Sequence, residues 1–375
     1  MPARTIDIPA EDLTRQYHQI QDEIHTAIDQ VLPSGKYTMG PILESFEQQM
    51  ASYCGVKHCI GISNGTESLH LAMAAMGVGP GDEVITQANT YVATAFAVSY
   101  LGARPVFVDI RPDSYNIDIE RIEQAINDRT RVIIPVHMYG NPTDMDPLME
   151  LARRHGLKVL EDASHAAGAI YKGRKACALG DAAAISFYPS KVLGAYGDAG
   201  AILTNDDDLS ERVRLLRYMG QKVKHTHLVI GYQQRLDPIQ AAILSVKLRH
   251  LEDWIERRRT IAGRYNDLLS SLPVVTPTEA PNSRHVYYMY TILSPKRDQL
   301  IAHLESQGIG TQKIYGTPVP MQPCYQFLEY SDSDIPVAAD CARRLLCLPI
   351  FPELTDSEIE HTANSIADFF SKDGS

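Results

Sequence analysis

The stretch S-F-Y-P-S-K-V-L-G-A-Y-G-D-A-G, residues 186–200, sets Lys191 between aromatic residues and a glycine-rich loop. An amine in apolar surroundings has a lowered pKa, which frees it as a nucleophile or base. The alternative is a lysine whose stem packs on aromatics while its head reaches water. Asp162 closes the run L-K-V-L-E-D (157–162), at the C-terminal end of an expected strand. Ligands of open α/β sheets bind outside that edge, where a carboxylate could hold a protonated ring nitrogen; an Asp there serves equally as a helix N-cap. In S-N-G-T-E-S-L-H-L-A-M-A-A-M-G (63–77), Gly65 and Thr66 open a helical pattern whose N-terminus could hold a phosphate. Asn64 and Glu67 read equally as a plain capping box. Tyr91, in Q-A-N-T-Y-V-A-T (87–94), follows another expected strand and either stacks on a flat ring or fills core.

Each signal alone admits the plainer reading. Together they supply a phosphate cup, a stacking aromatic, an acid for a pyridine nitrogen and a lysine for an aldehyde. Pyridoxal 5′-phosphate (PLP) needs these parts.

The elements that must position them alternate from about residue 59 to 205. The runs 82–88, 105–110, 131–137, 157–162, 182–188 and 201–204 read as strands. They are nearly continuous apolar runs, as expected of strands covered on both faces. Amphipathic segments such as 148–156 lie between them, which predicts an α/β fold with a mostly parallel central sheet flanked by helices. Residues 1–55 read as helical arms packed on this large domain. Asp237-Pro238 opens a long helical stretch, 239–259. The rest, with 286–293, a helix over 297–307 and a Pro-rich loop at 316–323, reads as a smaller α+β unit. The expected domains are therefore 1–245, which would bind the cofactor, and 246–375.

Composition narrows the function. The 375 residues carry a formal net charge of −11, which argues against a nucleic-acid surface. No apolar run is long enough to span a bilayer and the N-terminus lacks a signal peptide, so the expected location is the cytoplasm, with no membrane partner. The six cysteines form no C-x-x-C pair and complete no zinc pattern, so no metal is expected.

With these residues in place, the chain resembles the sugar aminotransferases of the DegT family, which share the aspartate aminotransferase fold (PLP fold type I). The matching pieces run nearly the whole length: S-G-K-Y-T-M-G-P (34–41), N-G-T-E-S-L (64–69), G-P-G-D-E-V-I (79–85), T-Y-V-A-T (90–94), G-A-R-P-V-F-V-D (102–109), E-D-A-S-H-A-A-G-A (161–169), the lysine stretch, and G-Y-Q-Q-R-L-D-P-I-Q-A-A (231–242). The resemblance implies that Lys191 binds the cofactor aldehyde and shuttles the proton, Asp162 pairs with the pyridinium nitrogen, and Tyr91 stacks on the ring. Gly65, Thr66 and Ser186 would hold the phosphate. His165, where Gln is usual, would contact the 3′-oxygen. Gln233 replaces an Asn that reaches the phosphate from the neighbouring subunit, which implies a homodimer with active sites at the subunit interface. Ala199 replaces a Gly, Pro320 stands where a His is common, and a Tyr-Pro-x-Pro motif reads Tyr315-Gly316-Thr317-Pro318.

Tyr188 and K-H-T-H (224–227) resemble the branch that aminates C3 of nucleotide-linked 3-keto sugars, placing Tyr188, Lys224, His227 and Tyr315 near the sugar; for His227 a solvated polar loop is the rival reading. The implied reaction is a two-half ping-pong transamination from glutamate or glutamine. The alternatives are amination of a 4-keto nucleotide sugar or a keto-cyclitol, and a non-enzymatic regulator or scaffold on the same fold.

Overall fold

The computed structural model describes residues 7–280 and 282–372. In chain order, two helices, α1 (Leu13–Val31) and α2 (Pro41–Cys54), precede a run of β1 (His58–Ile62), α3 (Gly65–Ala75), β2 (Glu83–Gln87), α4 (Ala93–Tyr100), β3 (Arg104–Val108), α5 (Ile119–Ala125), β4 (Thr130–Ile134), α6 (Met145–His155), β5 (Lys158–Asp162), β6 (Ala182–Ser186), β7 (Gly200–Thr204) and α7 (Asp207–Arg217). The strands make one seven-stranded sheet in the order β1-β7-β6-β5-β4-β2-β3. β2 to β6 pair in parallel, while β7 runs antiparallel to both β1 and β6. The sheet is therefore mostly parallel, with one reversed strand.

Why the strands read as unbroken apolar runs is visible in their packing. Alternate residues point to opposite faces. Ala182, Ala184, Ile202, Val132 and Ile134 pack with Leu69, Met73, Val98 and Val213 of the helices on one face. Ala183, Ile185, Ala201 and Leu203 pack on the other face with Phe46 of α2. Neither face meets water, so no polar alternation appears. Each buried Ile or Leu contributes about 1.5–3 kcal/mol relative to exposure. The six expected strands all form. β1 was not among them: H-C-I-G-I carries a His and a Gly, and pairs only with β7.

The long helix α8 (Pro238–Leu269) starts with proline in its first turn and continues ten residues past the predicted stretch, 269 against 259. Leu244 near its start lies in the main core, while Ile261, Ala262, Tyr265 and Leu269 lie in a separate cluster with Tyr290 and Leu346. That second cluster draws on the antiparallel pair β8 (Tyr290–Leu293) and β9 (Leu345–Leu348), with α9 (Arg297–Ser306) and α11 (Asp356–Lys372), whereas α10 (Pro336–Arg344) packs Ala338 and Cys341 into the main core. The expected boundary at 245 falls inside α8, which links the two cores as one continuous rod. The expected arm divides. Both α1 and α2 pack on α8. The backbone N–H groups of Asp7 and Ile8 donate to the carbonyl of Gly308, in the smaller unit.

Among the described residues, no helix is long and apolar enough to cross a membrane, and no group of His, Cys, Asp and Glu side chains is placed to hold a metal ion. All six cysteines are free; five are buried and Cys324 is exposed.

Candidate active site

The C-terminal ends of β2, β5 and β6, the first turn of α3 and the loop 313–324 enclose a cavity of about 1060 Å³. Its wall includes Gly65, Thr66, Tyr91, Asp162, His165, Ser186, Tyr188, Lys191 and Tyr315. Nine of the twelve residues singled out from sequence thus converge on one space.

The phosphate end is built by close backbone approach. Asn64 caps α3, its side-chain oxygen accepting from the Glu67 N–H at 2.9 Å. That bond leaves the Gly65 and Thr66 end of the helix facing the cavity. A Cβ added at Gly65 would lie 2.6 Å from the Ser186 Cβ, so only glycine lets helix start and strand end meet. Gly200 is under the same constraint, since a Cβ there would stand 2.5 Å from the Asn64 carbonyl carbon. Its neighbour Ala199 is 1% exposed, and its methyl is accommodated in the core. The departure at 199 therefore costs no clash, whereas the adjacent glycine is obligatory.

Asp162 is the last residue of β5 and is 4% exposed. Its Oδ2 accepts from the Thr94 hydroxyl at 2.9 Å and its Oδ1 from the Ser164 N–H at 3.1 Å. A carboxylate has about four acceptor positions, so capacity remains for a donor in the cavity. Among the described residues no helix starts directly after Asp162, so its bond to the Ser164 N–H closes a turn and the plainer reading as a helix N-cap does not apply.

Lys191 still touches solvent through the cavity, yet burial pushes its amine down to about 8, against the opposing pull of Asp162 and Glu11. Its Nζ lies 4.4 Å from the ring centroid of Tyr288. The amine is thus reactive near neutral pH and set on an aromatic face.

His165 is enclosed, and burial with the nearby Lys191 charge drives its pKa well below the usual histidine value, so the ring is neutral. The Tyr139 N–H donates to Nδ1 at 3.4 Å, which leaves the proton on Nε2. Nε2 lies 3.3 Å from the Tyr315 hydroxyl, whose residue adopts a left-handed φ of 52°. Tyr91 and Tyr188 are 60% and 55% exposed, placed at the rim as ring faces rather than core.

Three expected contacts stand elsewhere. Lys224 and His227 belong to an exposed hairpin, 221–227, and Gln233 is exposed beside it, bridged to Tyr218. None lines the cavity of its own chain. His227 Nδ1 lies 2.7 Å from the Met219 carbonyl, which holds the ring against the hairpin base. Pro320 is buried in a short turn and does not reach the cavity either. Sequence reasoning missed Thr94, Tyr288 and Ser190. Thr94 closes the T-Y-V-A-T piece and Tyr288 sits in the aromatic run 286–293, so each carried a signal, but the partner it serves is far away in the chain.

A family model described as "DegT/DnrJ/EryC1/StrS aminotransferase family" matches residues 18–367. The chain belongs to this family. A transaminase of Streptomyces venezuelae named for dTDP-3-amino-3,4,6-trideoxy-alpha-D-glucose is 44% identical over 94% of this chain and 93% of its own. A "pleiotropic regulatory protein" of Geobacillus stearothermophilus is 46% identical over 97% of this chain and 99% of its own. Among solved structures, Streptomyces venezuelae DesV in complex with a ketimine intermediate superposes with a TM-score of 0.95 at 42% identity, covering 96% of this chain and 98% of that one.

Proposed function

We propose that this chain is a PLP-dependent aminotransferase that moves the amino group of glutamate or glutamine to C3 of a nucleotide-linked 3-keto sugar. The observation that carries the reading is Lys191: an amine of pKa about 8 facing the same cavity as an enclosed carboxylate and an open helix N-terminus. The residues fit the cofactor on structural grounds. Gly65 lets the α3 N-terminus close on Ser186, and Gly65, Thr66 and Ser186 all line the cavity, so backbone N–H groups and the Ser186 hydroxyl can hold a phosphate. Asp162 keeps acceptor capacity for a ring N–H, and the neutral His165 offers Nε2–H to a ring oxygen.

Pyridoxal 5′-phosphate supplies an aldehyde and a protonated ring that accepts electrons from the bond being broken. The chain's own residues then do the rest. Asp162 holds the proton on the ring nitrogen. Lys191, when its amine is free, would take the proton from the amino-acid α-carbon and deliver it on the same face to the carbon that was the cofactor's aldehyde. Tyr91 covers the ring, and Tyr188 and Tyr315 border the space for the sugar. Tyr288 gives the Lys191 amine a polarisable face between transfers.

A second copy completes the site in this reading. Gln233, Lys224 and His227 are the expected contacts that miss their own cavity. They share a segment with Ile230 (96% exposed), Val223 and Leu228, an apolar strip that a neighbouring subunit would cover. The Streptomyces relative supports a sugar carbonyl at C3; the Geobacillus relative keeps a regulatory role as an outcome of the test.

The test mixes the pyridoxamine form with 3-keto and 4-keto nucleotide sugars and keto-cyclitols. The expected result is recovery of the starting spectrum with a 3-keto nucleotide sugar. Recovery with a 4-keto sugar or cyclitol alone would move the substrate class. No recovery with any ketone, and no change with any amino donor, would leave the scaffold reading.

A further inference from the structure

The charges around the cavity point to one more residue. Two cations line it, Lys191 and Lys313, beside the carboxylates of Glu67, Asp162 and Asp198. No arginine is among the described lining residues. Yet an amino donor brings an α-carboxylate to within one bond of the reacting carbon, and Lys191 is committed to the chemistry.

Lys313 is built to serve there. Its stem lies over Gly316: a Cβ at 316 would stand 3.1 Å from the lysine Cε and 3.4 Å from its Cγ. Gly316 stands where the family motif has proline, and the lysine stem fills the space a ring would take. The glycine at 316 therefore fits the lysine stem that lies over it. Two residues on from Lys313, Tyr315 reaches His165 on the cavity wall, so the segment is anchored in the site. The amine itself is loosely held. Its Nζ lies 3.4 Å from Asp298 Oδ1, with the two side chains 46% and 71% exposed. Asp298 is already engaged by Arg297 Nε at 2.8 Å. An exposed, shared pair of this kind contributes little, so the ammonium is released to a better anion at small cost.

We propose that Lys313 anchors the carboxylate of the amino donor. This rests on the aminotransferase reading. A nucleotide sugar also carries negative charge, but its diphosphate lies beyond a sugar ring from the reacting carbon, toward the rim where the Lys224 hairpin of a second copy would stand.

The experiment separates the two half-reactions in single turnovers of the holoenzyme. In Lys313→Gln the glutamate concentration for half-maximal conversion should rise at least roughly tenfold, the loss expected of a charge-assisted hydrogen bond, with the limiting rate little changed. The affinity for glutarate, a non-reacting dicarboxylate read by its spectral perturbation, should fall in step. Lys313→Arg should recover most of the loss, and Gly316→Pro, which displaces the stem and keeps the lysine, should reproduce it. The sugar half-reaction should be unaltered. A defect confined to the sugar half-reaction would make Lys313 a diphosphate contact and overturn the proposal, as would no defect in either half. If the wild-type protein converts with no amino donor, the aminotransferase reading itself fails and the anchor falls with it.

Discussion

The cavity wall and the 219–233 segment were both expected to touch cofactor or substrate, and they are built in opposite ways. In the wall, Asp162 and His165 are enclosed and each is fixed by bonds to neighbouring backbone or hydroxyl groups. In the segment, Val223, Leu228 and Ile230 are exposed and Lys224 and Gln233 reach outward. Pre-organised groups act without reorganising, so the wall can bind and do chemistry within one chain. The segment is held by its own hairpin bonds, such as His227 Nδ1 to the Met219 carbonyl at 2.7 Å, but its outward side chains have no wall around them in this chain. One chain thus carries a finished half-site and, in our proposal, the missing half of its neighbour's.

The largest effect that would sharpen this contrast is at the wall. Asp162→Asn removes the charge that, in our proposal, would hold the ring proton, while keeping an oxygen for Thr94. Turnover should fall by about 10²–10³-fold, with cofactor still bound. An unchanged turnover would show that the wall does not tune the ring.

A smaller effect tests how tightly the wall is packed. Gly200→Ala forces a methyl against the Asn64 backbone and should cost about 1–3 kcal/mol of stability, measured by denaturant unfolding. Ala199→Gly, one residue earlier, should cost less, about 0.5–1 kcal/mol, since it removes one methyl and loosens the chain. Equal effects at the two positions would contradict the asymmetry read from the packing.

The smallest is a titration. The Lys191 pKa is lowered from 10.5 to about 8, so the reactive neutral amine appears as pH rises through about 8. The rate at which cofactor-free protein takes up PLP should climb with an apparent midpoint near 8 rather than 10.5. The sign carries over to stability. The folded state binds the proton less tightly than the unfolded chain, so the cofactor-free protein gains stability as pH rises from about 8 to 10.5.

How much of this was legible in the sequence follows physical lines. The strands β2 to β7 were, because burial on both faces writes a continuous apolar run. The reversal of β7 was not, since burial is blind to strand direction. Lys191, Asp162 and Gly65 were legible because strand ends and helix starts are local features. The Thr94 bond to Asp162 and the Tyr288 face under Lys191 join residues 68 and 97 positions apart, and no local pattern encodes such pairs. The His165 proton position was hidden for the same reason, because it depends on a backbone N–H at Tyr139. The place of Gln233, Lys224 and His227 outside their own cavity was implied only for Gln233, by the resemblance.

The central claim is that one chain supplies the reacting wall and a second supplies the hairpin contacts. A mixed pair tests it most directly. Lys191→Ala lacks the amine, and Gln233→Glu turns a carboxylate toward its neighbour's phosphate; each alone should be inactive. Co-expressed with different tags and purified as the hetero-pair, they should regain transamination, because one of the two sites then carries neither change. A hetero-pair as inactive as its parents would contradict the account.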